Sequence, residues 1–248
     1  MKIKKLIRPS SETIIWRYIG LDKFISLLTT ERLVFSLVTI ASDKNEILWI
    51  LKNLEHTKEF KKYKEGATRH IQDLRNSTYI SCWTNKENES RSLWATYLDS
   101  TKQGVAIKST IGNFMKAVEW EDFSFNFAQV DYRNEFDFEE LQSNDIAINT
   151  KSTAYIEESE IRFSINGVSE ISEPFEAPEI YFRKLQEYRN LGKNRKKVIS
   201  LKVNLEILIN ELMISPYSAD WQKKNIIKLI NDYKPELLKK ISNSIVNE

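Results

Sequence analysis

One cysteine, Cys82, stands in the whole chain, so no internal disulfide is possible, and such thiol usage is expected of a protein of the reducing cytosol. With only two histidines, His56 and His70, beside it, no zinc or other metal site is expected. Six glycines are few, and none of their spacings makes a phosphate-cradling loop or a dinucleotide fingerprint. No apolar run approaches the roughly 18 to 20 residues that span a bilayer, so no membrane association is expected. The basic start, Met1 to Pro9, lacks a following apolar stretch, which argues against a secretory signal. Neither sign of charge is in excess. Against 37 Lys and Arg stand 35 Asp and Glu, and a net charge of +2 gives no overall field to draw in nucleic acid.

What is present is ordinary for a globular protein: 41% hydrophobic and 29% charged residues in 248. That length fits one large domain over residues 1–248, with a core from about 14 to 233. Strand signals fall at Ile14–Ile19, Leu33–Leu37, Tyr79–Thr84, Gly104–Ser109, Phe123–Tyr132, Val198–Val203 and Leu212–Ile214. Helical signals fall at Lys23–Thr29, over residues 47 to 75 with a break near Gly66, and at Arg91–Leu98 and Ile111–Val118. Further helices are expected over Phe136–Asn149, Ala219–Tyr233 and Pro235–Val246, a loop over Gly167–Pro178, and no clear structure over Tyr181–Lys197. Strands scattered among helices without strict alternation point to an α+β fold with a mixed or antiparallel sheet flanked by helices.

The segment Tyr155 to Ile165 carries the most chemistry. Read as a strand, it sets Glu158, Glu160, Arg162 and Ser164 on one face and Ile161, Phe163 and Ile165 on the other. Adjacent like charges repel, and the arginine two residues on partly offsets them.

Ile80-Ser81-Cys82-Trp83-Thr84, then Glu89-Ser90, then a helix bearing Trp94 and Tyr97, then Gly104-Val105-Ala106-Ile107, resemble a bacterial family designated domain-of-unknown-function family 2971. Trp16-Arg17-Tyr18, Phe35-Ser36, Lys151, Glu158-x-Glu160-x-Arg162 and Ile214 to Trp221 continue the resemblance in order along most of the chain. Two positions depart from that pattern. Leu37 stands where an arginine is usual, and Ile47 follows Glu46 where a glycine is usual. If that loop handles an anion, the lost arginine weakens it.

The layout invites comparison with ADP-ribosyltransferases, which cleave NAD and place a polar group on an early strand and a glutamate at the start of a late one. The resemblance implies Glu160, Glu158 and Arg17 as catalytic groups, and Trp94, Tyr97, Arg162, Tyr18 and Ser36 around the NAD cofactor. The acceptor would be nucleic acid or protein, in a bacterial defence or toxin-like role. Nothing in the sequence bears on oligomeric state.

Other readings stand beside this one. In these the charged strand face is solvated, Trp94 and Tyr97 pack in the core, Arg17 forms an ion pair with one of the glutamates, and Asp43 and Glu46 cap the following helix. A non-catalytic nucleic-acid or protein binding module of a bacterial defence system could use Arg183-Lys184 and Lys193–Lys197 with Tyr181, Phe182 and Tyr188. A metal-dependent hydrolase could gather Asp43, Glu46, Glu158 and Glu160 around magnesium, though no spacing singles that out.

Overall fold

The computed structural model describes residues 5–41, 43–98, 100–120, 123–170 and 178–246. The chain opens with β1 (Ile14–Gly20), α1 (Leu21–Thr30), β2 (Arg32–Leu37), α2 (Trp49–Leu54), α3 (Lys58–Ser77) and β3 (Thr78–Thr84). Next come α4 (Arg91–Tyr97), β4 (Gly104–Thr110), α5 (Ile111–Ala117), β5 (Phe125–Gln129), β6 (Asp131–Tyr132), α6 (Asn144–Ile148), β7 (Thr150–Lys151) and β8 (Glu160–Asn166). Last are α7 (Pro178–Asn190), β9 (Val198–Lys202), α8 (Leu205–Leu208), β10 (Glu211–Ile214), α9 (Asp220–Tyr233) and β11 (Ile241–Ser242).

Contacts divide these residues into two compact units, each built from three stretches of chain. The first comprises residues 1–8, 34–82 and 120–199, the second residues 9–33, 83–119 and 200–248. In the first, β2 runs antiparallel to β3 (Ser36 opposite Ile80), β3 also pairs with β8, and β8 runs antiparallel to β5 from Gln129–Ile161 to Phe125–Ile165. The short β6 and β7 lie parallel, Asp131 beside Thr150. Helix α3 lays Phe60, Ala67, Ile71 and Leu74 into a core with Ile47, Ile50, Leu54 and Ile148. In the second unit, β1 runs antiparallel to β4 from Ile14–Thr110 to Gly20–Gly104, β4 antiparallel to β10, and β10 parallel to β11. Its apolar center joins Trp16, Tyr18, Leu93, Trp94, Ala106 and Met213. The fold class is α+β, with a mixed, mostly antiparallel sheet flanked by helices.

Several boundaries differ from the sequence expectation, each for a local reason. The long helical region breaks at 55–57, and α3 is also kinked at Tyr63 (φ −117°, ψ 23°), three residues before Gly66, near which a break was expected. Thr57 accepts the Phe60 N–H at 3.2 Å and restarts the helix. A glycine costs a helix only about 1 kcal/mol, and the buried face of α3 overrides that. The acidic stretch 136–149 divides at Ser143, whose hydroxyl caps α6 by accepting from the Ile146 N–H. Residues 123–132 form two strands and not one, because the Asp131 N–H leaves the β8 ladder and donates to the Asn149 carbonyl, where pairing with β7 begins. The basic stretch from Tyr181 is helical through Asn190. Of the loop expected at Gly167 to Pro178, Gly167–Glu170 is a 3₁₀ turn and residues 171–177 lie outside the described ones. The C-terminal helix is a 3₁₀ turn over Pro235–Lys240 followed by β11.

The strand expected from Tyr155 starts five residues later. Thr153–Glu158 is a 3₁₀ turn begun by the Ser152 hydroxyl, and Ser159 closes it in the left-handed region (φ 43°, ψ 51°). Glu158 is therefore not on the strand. Strand β8 pairs with β5 on one edge and β3 on the other, and every residue from Glu160 to Ile165, on both faces, is buried. That overturns the solvated-face reading of Glu160 and Arg162.

Candidate functional site

Arg162 is completely buried in the first unit, and every partner it holds is an oxygen. Its Nε and Nη2 donate to the two Glu160 oxygens at 2.8 and 3.1 Å, a fork-on-fork pair within one strand face. Its Nη1 donates to Glu46 Oε1 at 3.1 Å and to the Ile148 carbonyl. Lys151, at the end of β7, completes the cluster. Its Nζ lies 2.8 Å from Glu158, 3.6 Å from Glu46 and 3.7 Å from Glu160. Three carboxylates and two cations leave one formal negative charge.

These charges are held by their surroundings. Burial alone would raise the Glu160 carboxyl, but Arg162 and Lys151 hold it down at about 2. Burial opposes the Lys151 charge as well, and Glu160, Glu46 and Glu158 together raise that ammonium above its ordinary value. Glu158 moves the other way: burial lifts it, against the pull of Lys151. The Cys82 thiol hydrogen-bonds Glu160 and is pushed well up, by burial first and then by that carboxylate. The Tyr132 hydroxyl accepts the Glu160 N–H at 2.8 Å and is likewise raised by burial. At neutral pH Glu160, Lys151 and Arg162 are all ionised, and the field of the cluster is fixed.

The cluster reaches the surface at one rim. The Glu158 side chain is 23% exposed, against 6% for Lys151, 5% for Glu160 and 3% for Glu46. Beside it the Tyr155 ring lies 4.3 Å from Lys151 Nζ, and the Tyr155 hydroxyl hydrogen-bonds Asp43. Among the described residues, no group of three or more His, Cys, Asp or Glu could hold a metal ion. Glu46 and Glu160 instead converge on Arg162 and Lys151.

The other candidates from the sequence fall elsewhere. Arg17, on β1 of the second unit, lies with its guanidinium 5.7 Å from the center of the Trp83 ring. In the same unit Trp94 is fully buried and donates its indole N–H to Glu89, which also holds Ser244 and Ile245. Tyr18 meets Trp94 edge-on at 4.9 Å and accepts the Ser90 N–H; burial pushes its hydroxyl up to about 12. Tyr97 is exposed. Ser36 stands in the first unit, on β2 opposite Ile80. In the basic stretch, Arg195 donates to the Tyr188 and Arg189 carbonyls, Lys184 is buried, and Tyr188 is buried against Tyr79.

Sequence reasoning missed Glu46 as an Arg162 partner, having read it as a helix cap. Its signal was the next residue. Ile47 has φ 66° and is completely buried, a conformation in which a β-branched side chain is strained and glycine is at ease. The loop there thus supplies an acid to a cation, and handles no anion through Glu46. Leu37, at the other departure, is a buried residue at the end of β2. No family model matches the chain, and no curated protein and no solved structure matches it.

Proposed function

We propose that the chain is an ADP-ribosyltransferase-like enzyme that takes NAD as substrate, with Glu158 as the carboxylate that meets the ribose. One observation carries this reading. Glu158 is the half-open carboxylate at the rim of a sealed cluster in which Glu46 and Glu160 balance Lys151 and Arg162, so the one net negative charge is its own, and it stands two residues before the start of a late strand. When the ribose–nicotinamide bond breaks, both bonding electrons leave with nicotinamide, which departs neutral. Positive charge then spreads over the ribose C1′ and ring oxygen. A fixed negative field at that point lowers the energy of the charge as it develops. The acceptor's oxygen or nitrogen bonds C1′ and releases its proton to solvent.

Each cluster residue has a part in that chemistry. Glu160, Glu46 and Arg162 are positioning residues: they are buried, they bind one another, and they fix Lys151. Lys151 in turn orients Glu158. Tyr155 presents an aromatic ring at the same rim. The place of Glu158, just ahead of the late strand β8, is near the late-strand glutamate of the transferase layout, a fold-level analogy. The proposal rests on the first unit alone. The acceptor class is nucleic acid or protein, with water as the default.

The test is nicotinamide release from NAD by the purified chain, with DNA, RNA, cell extract or water as acceptor. Glu158→Gln should lower turnover about 10²- to 10³-fold, the usual loss for removing one transition-state charge partner, and leave the unfolding midpoint unchanged. Glu160→Gln should lower both. Full turnover in Glu158→Gln would remove that residue from the mechanism. No turnover by the wild type with any acceptor would instead favor the non-catalytic binding module.

A further inference from the structure

The middle of α3 buries nothing. All six residues from Lys61 to Gly66 are exposed, and a Cβ added at Gly66 would meet no atom within 4 Å. Helices in proteins are held mainly by a packed apolar face, and this stretch has none. Its charge is also one-sided. Lys58, Lys61, Lys62, Lys64 and Arg69 stand against Glu59 and Glu65, a net +3 over residues 58–69 in a chain whose total is +2. The positive field is therefore local, and the rest of the chain is slightly acidic. Among the described residues, none of the four lysines is held in an ion pair.

An aromatic ring stands among these cations. Tyr63 is 52% exposed, and Phe138 backs it in an offset stack with ring centers 6.0 Å apart and planes 24° from parallel. Lys62 Nζ lies 4.9 Å from the center of the same ring, on an exposed side chain that can swing to a phosphate as a base takes its place. The combination selects among polyanions. A bilayer surface requires an apolar face, and Tyr63 is the one apolar side chain from Lys61 to Gly66. An acidic peptide offers charge without a flat ring to stack, and a duplex keeps its base faces inside. A single strand offers phosphates and open base faces together. The basic stretch singled out in the sequence is built differently. There Arg189 donates to Asp73, Arg195 donates to two backbone carbonyls, and Lys184 is buried.

We infer that the exposed stretch of α3 is a docking surface for single-stranded nucleic acid, with phosphates on Lys58, Lys61, Lys62 and Lys64 and a base on Tyr63. The binding is independent of the chemistry proposed at Glu158: it needs no NAD, and Glu158→Gln should bind as the wild type does.

Fluorescence anisotropy of a short labelled oligo(dT), titrated with the full chain between about 50 and 200 mM salt, tests it. Four neutralised phosphates give a log–log salt slope of about −3, at about −0.7 per contact. Lys61→Gln, Lys62→Gln and Lys64→Gln combined should flatten that slope by about 2 and weaken binding about 10-fold or more. Tyr63→Ala should weaken binding about 10-fold with the slope unchanged. Arg183→Gln combined with Lys197→Gln, on the other basic stretch, should bind as the wild type does. All of these side chains are exposed, so every variant should keep the wild-type melting temperature. A duplex of the same length, a polyglutamate peptide and phosphatidylserine vesicles should each bind at least about 10-fold more weakly than the single strand. Four results would overturn the inference: no binding of oligo(dT) at the lowest salt, affinity unchanged in the triple lysine variant or in Tyr63→Ala, affinity lost in the Arg183 and Lys197 variant instead, or a comparator binding as tightly as the single strand.

Discussion

Arg162→Met should destabilise the chain by about 3 to 5 kcal/mol, the range for removing one partner of a buried ion pair. The variant loses the two bonds to Glu160, the bond to Glu46 and the bond to the Ile148 carbonyl. What remains is three carboxylates around Lys151 alone, two formal negative charges in a site that is 3 to 5% exposed at Glu46 and Glu160. Glu160→Gln should cost somewhat less, because Arg162 keeps Glu46. Arg162 and Lys151 hold the Glu160 carboxyl well below its ordinary value against the effect of burial, so the fold stabilises its ionised form. The sign follows from the direction. A depressed carboxyl contributes stability above 4.5 that is lost as pH falls toward 2, so wild type should weaken across that window and Glu160→Gln should weaken less. Glu158 works the opposite way. Its raised carboxyl favors the folded state when protonated, and that share is lost as pH rises through its elevated value. The assay is guanidinium unfolding followed by circular dichroism at pH 7 and at steps down to pH 2. The exposed pair Lys228–Asp232 serves as control, where Lys228→Met should change nothing measurable. A loss below about 1 kcal/mol for Arg162→Met would refute the reasoning, since only a solvated pair is so weak.

Two further predictions concern backbone. At Ile47, with φ 66°, Gly should be more stable than Ala by about 1 kcal/mol, while at the equally buried Ile50 in α2 the order should reverse by a similar amount; urea midpoints of the four variants decide it. Gly104→Ala should lower the melting temperature, because a Cβ there would collide with the Ile19 carbonyl on β1 and with Leu98; an unchanged melting curve would refute so close a β1–β4 approach.

The legible parts of the fold were those where one period dominates. Helix α1 with Phe24, Leu27 and Leu28, and strands β1, β3 and β4, fall within a residue or two of expectation. The opening strand of the charged segment misled because alternation normally means one wet face. Here Glu160 and Arg162 neutralise each other and are buried, and a polar row can be buried once it is internally paired. Ser159 was the missed stop: its left-handed backbone turns Glu158 out of the strand and leaves it half-open. Glu46 and Lys151 lie 116 and 11 residues from Arg162, and no local pattern links them. Tyr155 opens the charged segment, but its place beside Lys151 depends on the 3₁₀ turn.

In the proposed function Glu158, and not its neighbors, carries the chemistry. Its most direct test is the rate of nicotinamide release from NAD by wild type, Glu158→Gln and the adjacent exposed Glu157→Gln, measured together at pH 7.5. Turnover retained in Glu157→Gln and reduced about 10²-fold or more in Glu158→Gln is the predicted result. Equal rates in all three, or no release by wild type, would contradict it.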